Sequence, residues 1–142
     1  MDFIPGIEAA SGGLQAQRTR LDVIAQNIAN AQTTRGADGR AYTRQVVSFE
    51  SELIKRMGDG AGGSPALRGV HVSRVTGDPQ QGPRVHNPGH PDADADGYVQ
   101  MPNVNMAMEM VDLISATRAY EANLAVVKSG REMATRTLDI GR

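Results

Sequence analysis

The spacing of apolar residues at the two ends constrains this chain more than anything else in it. In the C-terminal stretch, Met106, Leu113, Tyr120, Val127 and Ala134 recur every seven residues; Met110, Leu124 and Leu138 fall four later, with Thr117 and Arg131 interrupting that second row. A seven-residue repeat keeps one stripe of a helix turned toward a partner helix. Near the N-terminus Ile7, Leu14, Leu21 and Ile28 keep the same step, with Ala10, Ile24 and Ala31 three places on. At about 1.5 Å per residue the C-terminal helix would span roughly 50 Å. One small globular core cannot cover that length, so part of the seam is expected to be buried by other chains. An intramolecular helical hairpin is the simpler reading of the same pattern.

Composition narrows the classes. A chain of 142 residues is one domain by size, or a small domain with helical extensions. Aromatic residues make up 4% and tryptophan is absent, so no large self-sufficient core is expected. A net charge of −1 supplies no basic field for nucleic acid or for an anionic membrane. With no cysteine, disulfides and thiolate metal sites are excluded. The segment Met1–Gly6 has neither the basic start nor the apolar run of a secretory signal, and no transmembrane stretch follows. Export would need a route that cleaves no leader.

Three regions follow. Residues 1–34 form an N-terminal helix, opened at Pro5 and Gly6 and closed by a polar run containing Asn27, Asn30, Gln32, Thr33 and Thr34. Ser11-Gly12-Gly13 lies early in it, where each glycine costs about 1 kcal/mol relative to alanine, so the pair permits a bend or a close backbone approach. Residues 35–101 hold most of the glycine and proline and read as strand, turn and loop: an extended segment at Tyr42–Glu52, a glycine-rich linker at Gly58–Ser64, a short strand around Val70, Val72 and Val75, and another at Tyr98–Met101. Residues 102–142 form the long helix, with Asn103 as its N-cap. The fold class is mainly α with a small β-rich insertion.

Motifs for chemistry are sparse. Asp92-Ala93-Asp94-Ala95-Asp96-Gly97 opens as a calcium loop of the EF-hand type would, with alternate carboxylates before a glycine. Position twelve of that loop is Asn103 where a glutamate belongs, and Pro88 and Pro91 bar an entering helix. A calcium-binding module on Asp92, Asp94 and Asp96 is the competing reading, against an aspartate-rich turn. His86 and His90 have the spacing of helical zinc ligands, but Pro88 between them denies the helix. A hydrolase using His90 and Asp92 would lack a nucleophile and an oxyanion hole. The expectation is no enzyme, no cofactor and no metal.

Two blocks carry a resemblance. One runs from Gln17-Arg18 through Asn27-Ile28-Ala29-Asn30-Ala31-Gln32-Thr33-Thr34-Arg35 to Tyr42-Thr43-Arg44-Gln45; the other from Asn87-Pro88-Gly89-His90-Pro91-Asp92 through Gly97-Tyr98-Val99 and Pro102-Asn103-Val104-Asn105 to Ala119-Tyr120-Glu121-Ala122-Asn123. Together they resemble the bacterial flagellar basal-body rod proteins. Rod and hook proteins share an alanine-asparagine motif followed by Thr-Pro-Gly-Tyr; Thr33-Thr34-Arg35 stands there instead, as in the proximal type. The resemblance implies terminal helices paired as a coiled coil, stacked with other subunits into a helical tube, with the β-rich part outside. It also implies a structural role in the drive shaft and export through the flagellar type III apparatus. Implied partners are copies of the chain, proximal and distal rod proteins, the rod-base adaptor, and the MS-ring and export gate. On that reading the assembly contacts fall on Leu14, Leu21, Ile24, Ile28, Asn30, Met106, Met110, Leu113, Tyr120, Leu124, Val127 and Leu138.

Overall fold

The computed structural model describes residues 4–56 and 66–140, so the linker expected at Gly58–Ser64 lies outside the described residues. The order is α1 (Ile4–Ala29), β1 (Gln45–Arg56), β2 (Ala66–Gly77), β3 (Arg84–His86), β4 (Tyr98–Gln100) and α2 (Met106–Ile140). Two helices and two small antiparallel sheets make the chain mainly α with a β insertion.

The helices pack against each other in opposite directions. Asn27 meets Glu109, Arg20 meets Asp112, the Cα of Gly13 faces the Asn123 amide, and Ile7 fills the space that a side chain on Gly130 would need. As numbers rise on α1 they fall on α2, and the end of α2 beyond about Met133 runs past the start of α1.

Helix α2 begins later than the sequence suggested, because a different asparagine caps it. The Asn105 side chain accepts from the N–H groups of Ala107 and Met108 at 3.0 and 3.2 Å, satisfying two of the donors a helix start leaves open. The expected cap, Asn103, instead accepts the N–H of Arg44 at 2.7 Å.

Strands β1 and β2 pair over their length and are longer than the apolar pattern indicated. Val47 opposite Val75, Phe49 opposite Val72 and Ser51 opposite Val70 share one face, while Glu50 opposite His71 and Ser48 opposite Arg74 share the other. A register shift between Ser48 and Phe49 adds one residue to β2 and keeps the apolar face continuous across it. The hairpin lies across α1, where Ala16 and Thr19 face Val70 and Val72, and Val23 and Ile24 face Val46, Val47 and Phe49. Ser11-Gly12-Gly13 is the crossing point. A Cβ on Gly12 would stand 2.9 Å from the Val70 carbonyl oxygen, and one on Gly13 would stand 3.0 Å from the Asn123 amide nitrogen. The two glycines admit the hairpin on one side of α1 and α2 on the other, so they serve close approach rather than a bend.

Among the described residues the buried apolar side chains are Ala10, Ala16, Val23, Ile24, Val99 and Ala116. Half are alanine, so this core is thin. Val23 and Ile24 contribute about 1.5–3 kcal/mol each on burial.

Candidate assembly interface

The N-terminal third of α2 has two faces of opposite character. Its inward face carries Glu109, which is 0% exposed, followed by Asp112, Leu113 and Ala116. A carboxylate in that position needs charge and hydrogen bonds to remain there. Arg44, at the entrance to β1, supplies the charge: its Nε donates to Glu109 Oε1 at 2.5 Å, and a second guanidinium nitrogen lies 3.5 Å from Asp112. Arg20 on α1 donates to Asp112 at 3.3 Å. Two cations and two anions thus balance at the junction.

Asn27 completes it. Its amide nitrogen donates to the Gln45 carbonyl at 2.9 Å and to Glu109 Oε2 at 3.1 Å, while its oxygen accepts from the Gln45 N–H at 2.8 Å and from the Tyr42 hydroxyl at 2.9 Å. Every donor and acceptor site of the amide is used. Toward Gln45 the side chain acts as a neighbouring strand would, bonding both backbone groups of one residue. The Arg44 backbone is pinned as well, since its carbonyl accepts from the Asp78 N–H at 2.7 Å. The end of α1, the base of the hairpin and the start of α2 are therefore held by one network. Burial, and then the negative charge of Glu109, raise the Tyr42 phenol above its ordinary pKa.

This network was not legible as such. Asn27 reads in sequence as part of a polar helix end, and nothing in the sequence singles out Glu109. The inner row on α2 is Glu109, Ala116, Asn123 and Gly130, spaced by sevens three places after Met106, Leu113, Tyr120 and Val127. It contains no large apolar residue, so counting apolar positions passes over it. The row four places on, which was expected to complete the seam, turns outward at both ends: Met110 is 49% and Leu138 74% exposed. Small and polar residues take the inner row because the helix axes approach closely there.

The other nominated contact residues divide accordingly. Ile24 is buried, whereas Leu14, Leu21, Ile28, Leu113, Tyr120, Leu124 and Val127 are half-buried. Met106 is exposed. Asn30 acts locally, donating to the Gln26 carbonyl at 2.8 Å and accepting from the Thr33 hydroxyl at 3.2 Å where α1 ends. Met108 and Val111, each 62% exposed, and Ile114 at 56% were not among the nominated contacts; with Met106 and Met110 they form an apolar surface on the outer side of α2.

The aspartate loop is a turn. Asp94 accepts from the N–H groups of Tyr98 and Asp96 at 2.8 and 3.1 Å and pairs with Arg84, and Gly97 takes a positive φ. The Tyr98 N–H, ahead of Arg84, lowers the Asp94 pKa. Asp92 faces away, bonded by the Thr34 hydroxyl at 2.7 Å and by Arg35 at 3.2 Å. The Asp92 and Asp94 carboxylates are engaged in different directions rather than converging. Among the described residues no three His, Cys, Asp or Glu side chains are grouped to hold a metal. No described helix is long and apolar enough to cross a membrane.

Two family profiles match this chain, one over most of each helix. A profile of flagella basal body rod proteins matches residues 7–37, and one for the C-terminal part of flagellar basal body rod FlgEFG proteins matches residues 95–140. The chain is 38% identical to the flagellar basal-body rod protein FlgC of Bacillus subtilis over the whole of both chains. It belongs to the FlgC family of flagellar basal-body rod proteins. The FlgC of Borreliella burgdorferi is 42% identical over 94% of this chain and 93% of its own, and that of Salmonella typhimurium 40% over 95% of each. Asn27 and Glu109 lie within the two profile matches, whereas the hairpin and Arg44 lie between them.

Proposed function

We propose that this member of the FlgC family is a structural, non-enzymatic subunit of the flagellar basal-body rod, placed in its proximal part. The observation that carries the reading is the outward apolar face of α2: Met106, Met108, Met110, Val111 and Ile114 are exposed on a chain whose buried apolar residues are half alanine. A surface of that kind is stabilised by association. The names of the relatives point to the rod as the place where it is covered.

On this reading residues 1–34 and 102–142 are the axial parts, supercoiled and stacked with those of other subunits into a tube that lines the export channel. Residues 35–101 form the outer part. Torque passes through repeated helix contacts, and the junction of Asn27, Arg44 and Glu109 fixes the outer hairpin to the axial helices. The partners are copies of the chain and other rod proteins, with the rod-base adaptor, MS-ring and export gate at the proximal end. The chain reaches the basal body through the flagellar type III apparatus. Quantitative mass spectrometry of purified basal bodies, calibrated against the membrane-ring protein, tests this. A fixed stoichiometry of a few copies per particle is expected, and absence from the particles overturns the reading.

A further inference from the structure

At the base of the β1–β2 hairpin lies a cleft of about 530 Å³ to which neither helix contributes a residue. The strands stay joined as far as the Asp78 N–H, which donates to the Arg44 carbonyl at 2.7 Å. Beyond that rung the two segments part, because each is bonded elsewhere. The Tyr42 N–H donates to the Thr33 carbonyl at 3.0 Å, and the Asp78 carboxylate accepts from the Gln80 N–H at 3.0 Å. Residues Ala41–Thr43 line one side of the cleft and Asp78–Gly82 another. Both sides are fixed. The Gln100 amide donates to the Gly82 carbonyl at 2.7 Å, and a side chain on Gly82 would run into the backbone of Met101 and Pro102. Arg40 stands on a tight turn whose Gly36 N–H donates to the Arg40 carbonyl at 2.7 Å, while its own N–H donates to Asp38 at 3.2 Å.

We propose that this cleft binds a peptide segment in extended form, its backbone along Ala41–Thr43 and a carboxylate of the segment against Arg40. The chemistry of the lining selects that class. Among the described residues, the N–H groups of Ala41, Thr43 and Gln81 are not used by any other backbone group. Unused backbone donors beside the end of a strand pair are what an added strand bonds to. The Arg35 guanidinium is paired with Asp92 at 3.2 Å, whereas Arg40 is exposed and pairs with no carboxylate among the described residues. Two arginines and two aspartates line the cleft, so its charges balance. A multiply charged anion would face Asp78 and Asp92 as well as the arginines, while a peptide brings one carboxylate on a neutral backbone. The volume lies within the roughly 300–1,000 Å³ of preformed ligand sites. This contact lies away from the packed helices, and the proposal does not depend on where the chain is assembled.

The test uses the purified, nitrogen-15-labelled full chain and two blocked peptides, acetyl-Ala-Val-Asp-Val-Ala-amide and the same peptide with asparagine in place of aspartate. Amide resonances of residues 39–43 and 78–82 should shift with the aspartate peptide and saturate at millimolar concentration. The asparagine peptide should bind about fivefold more weakly, the weight of one exposed ion pair. In Arg40→Gln, whose spectrum also reports that the fold is kept, the two peptides should bind alike. No shift at about 10 mM peptide, a weak affinity by any measure, overturns the proposal, as do shifts confined to other residues. Acetate alone matching the aspartate peptide would make this an anion site and overturns it too. So does a preference for aspartate that survives Arg40→Gln. None of these outcomes bears on incorporation into basal bodies, which tests the rod reading separately.

Discussion

The first turns of α2 and the β3–β4 corner are built by opposite rules. At the corner Val99 is buried while Arg84 and Asp94 pair in solvent, with Arg84 over the Tyr98 ring at 5.2 Å. On α2 the carboxylate of Glu109 is buried and Met108, Met110 and Val111 face outward. The corner is finished as it stands. The helix start leaves its methionines in water, and its buried charge serves position more than stability. A buried ion pair often contributes little net stability against an apolar replacement, yet losing one partner is costly because the other charge is left stranded.

That asymmetry gives the largest expected effect. Glu109→Ala leaves the Arg44 Nε–H and one Asn27 amide hydrogen facing a void without their acceptor, and should destabilise the purified protein by about 3–5 kcal/mol in urea unfolding. Replacing both members, as Glu109→Leu with Arg44→Met, should cost less than the single change. If the double variant were the worse of the two, the junction would owe its stability to attraction between the charges and the contrast with the corner would lose its basis.

Next comes the glycine crossing. Gly12→Ala places a methyl 2.9 Å from the Val70 carbonyl, so the hairpin must lift from α1. Overpacking of this kind costs about 1–3 kcal/mol. Faster hydrogen exchange in β2, with exchange in α2 unchanged, would identify the hairpin as the part displaced. Equal loss of protection in both would mean that the hairpin and the helix pair open together.

These two sites also mark what sequence could and could not reveal. Both helices, the β character of the middle and the close approach at Gly12 and Gly13 were legible, because periodicity and glycine position report local geometry directly. Strand β3 was not: Arg84, Val85 and His86 are all exposed, and so short a strand without a buried face has no alternation to read. The cap of α2 was misplaced by two residues because Asn103 and Asn105 are equally good caps locally. Only the fold, which brings Arg44 against Asn103, separates them. The junction itself depends on pairs far apart in sequence, such as Asn27 with Glu109. A polar residue carries no mark of burial until its partners are known. The one available signal was the seven-residue row of Glu109, Ala116, Asn123 and Gly130, which keeps the helical period without large side chains.

A smaller effect is expected with pH. Folding raises the Tyr42 pKa, so above the ordinary value of about 10 the unfolded chain releases this proton while the folded chain keeps it. The native state then binds more protons than the unfolded state, and stability falls as pH rises from about 10 toward the folded value. Tyr42→Phe should cost about 1 kcal/mol at neutral pH for the lost hydrogen bond to Asn27 and should flatten this alkaline decline. An alkaline decline as steep in the variant as in the parent would assign it to other groups and separate Tyr42 from the charge on Glu109.

The smallest effect on stability is expected where the effect on assembly is largest. Val111 is exposed on the outer face of α2, two residues from the buried Glu109 and nearly opposite it around the helix. Val111→Asp removes little buried area and adds a charge that water solvates, so urea unfolding of the purified protein should move by no more than about 0.5 kcal/mol. In the rod the same carboxylate would have to be desolvated against a neighbour's apolar surface without a partner, which costs several kcal/mol at each contact. Incorporation into basal bodies and swimming should both be lost while the purified chain stays folded. Normal swimming by the Val111→Asp strain would show that this face stays in water, and the exposed methionines beside it would then need an explanation other than association.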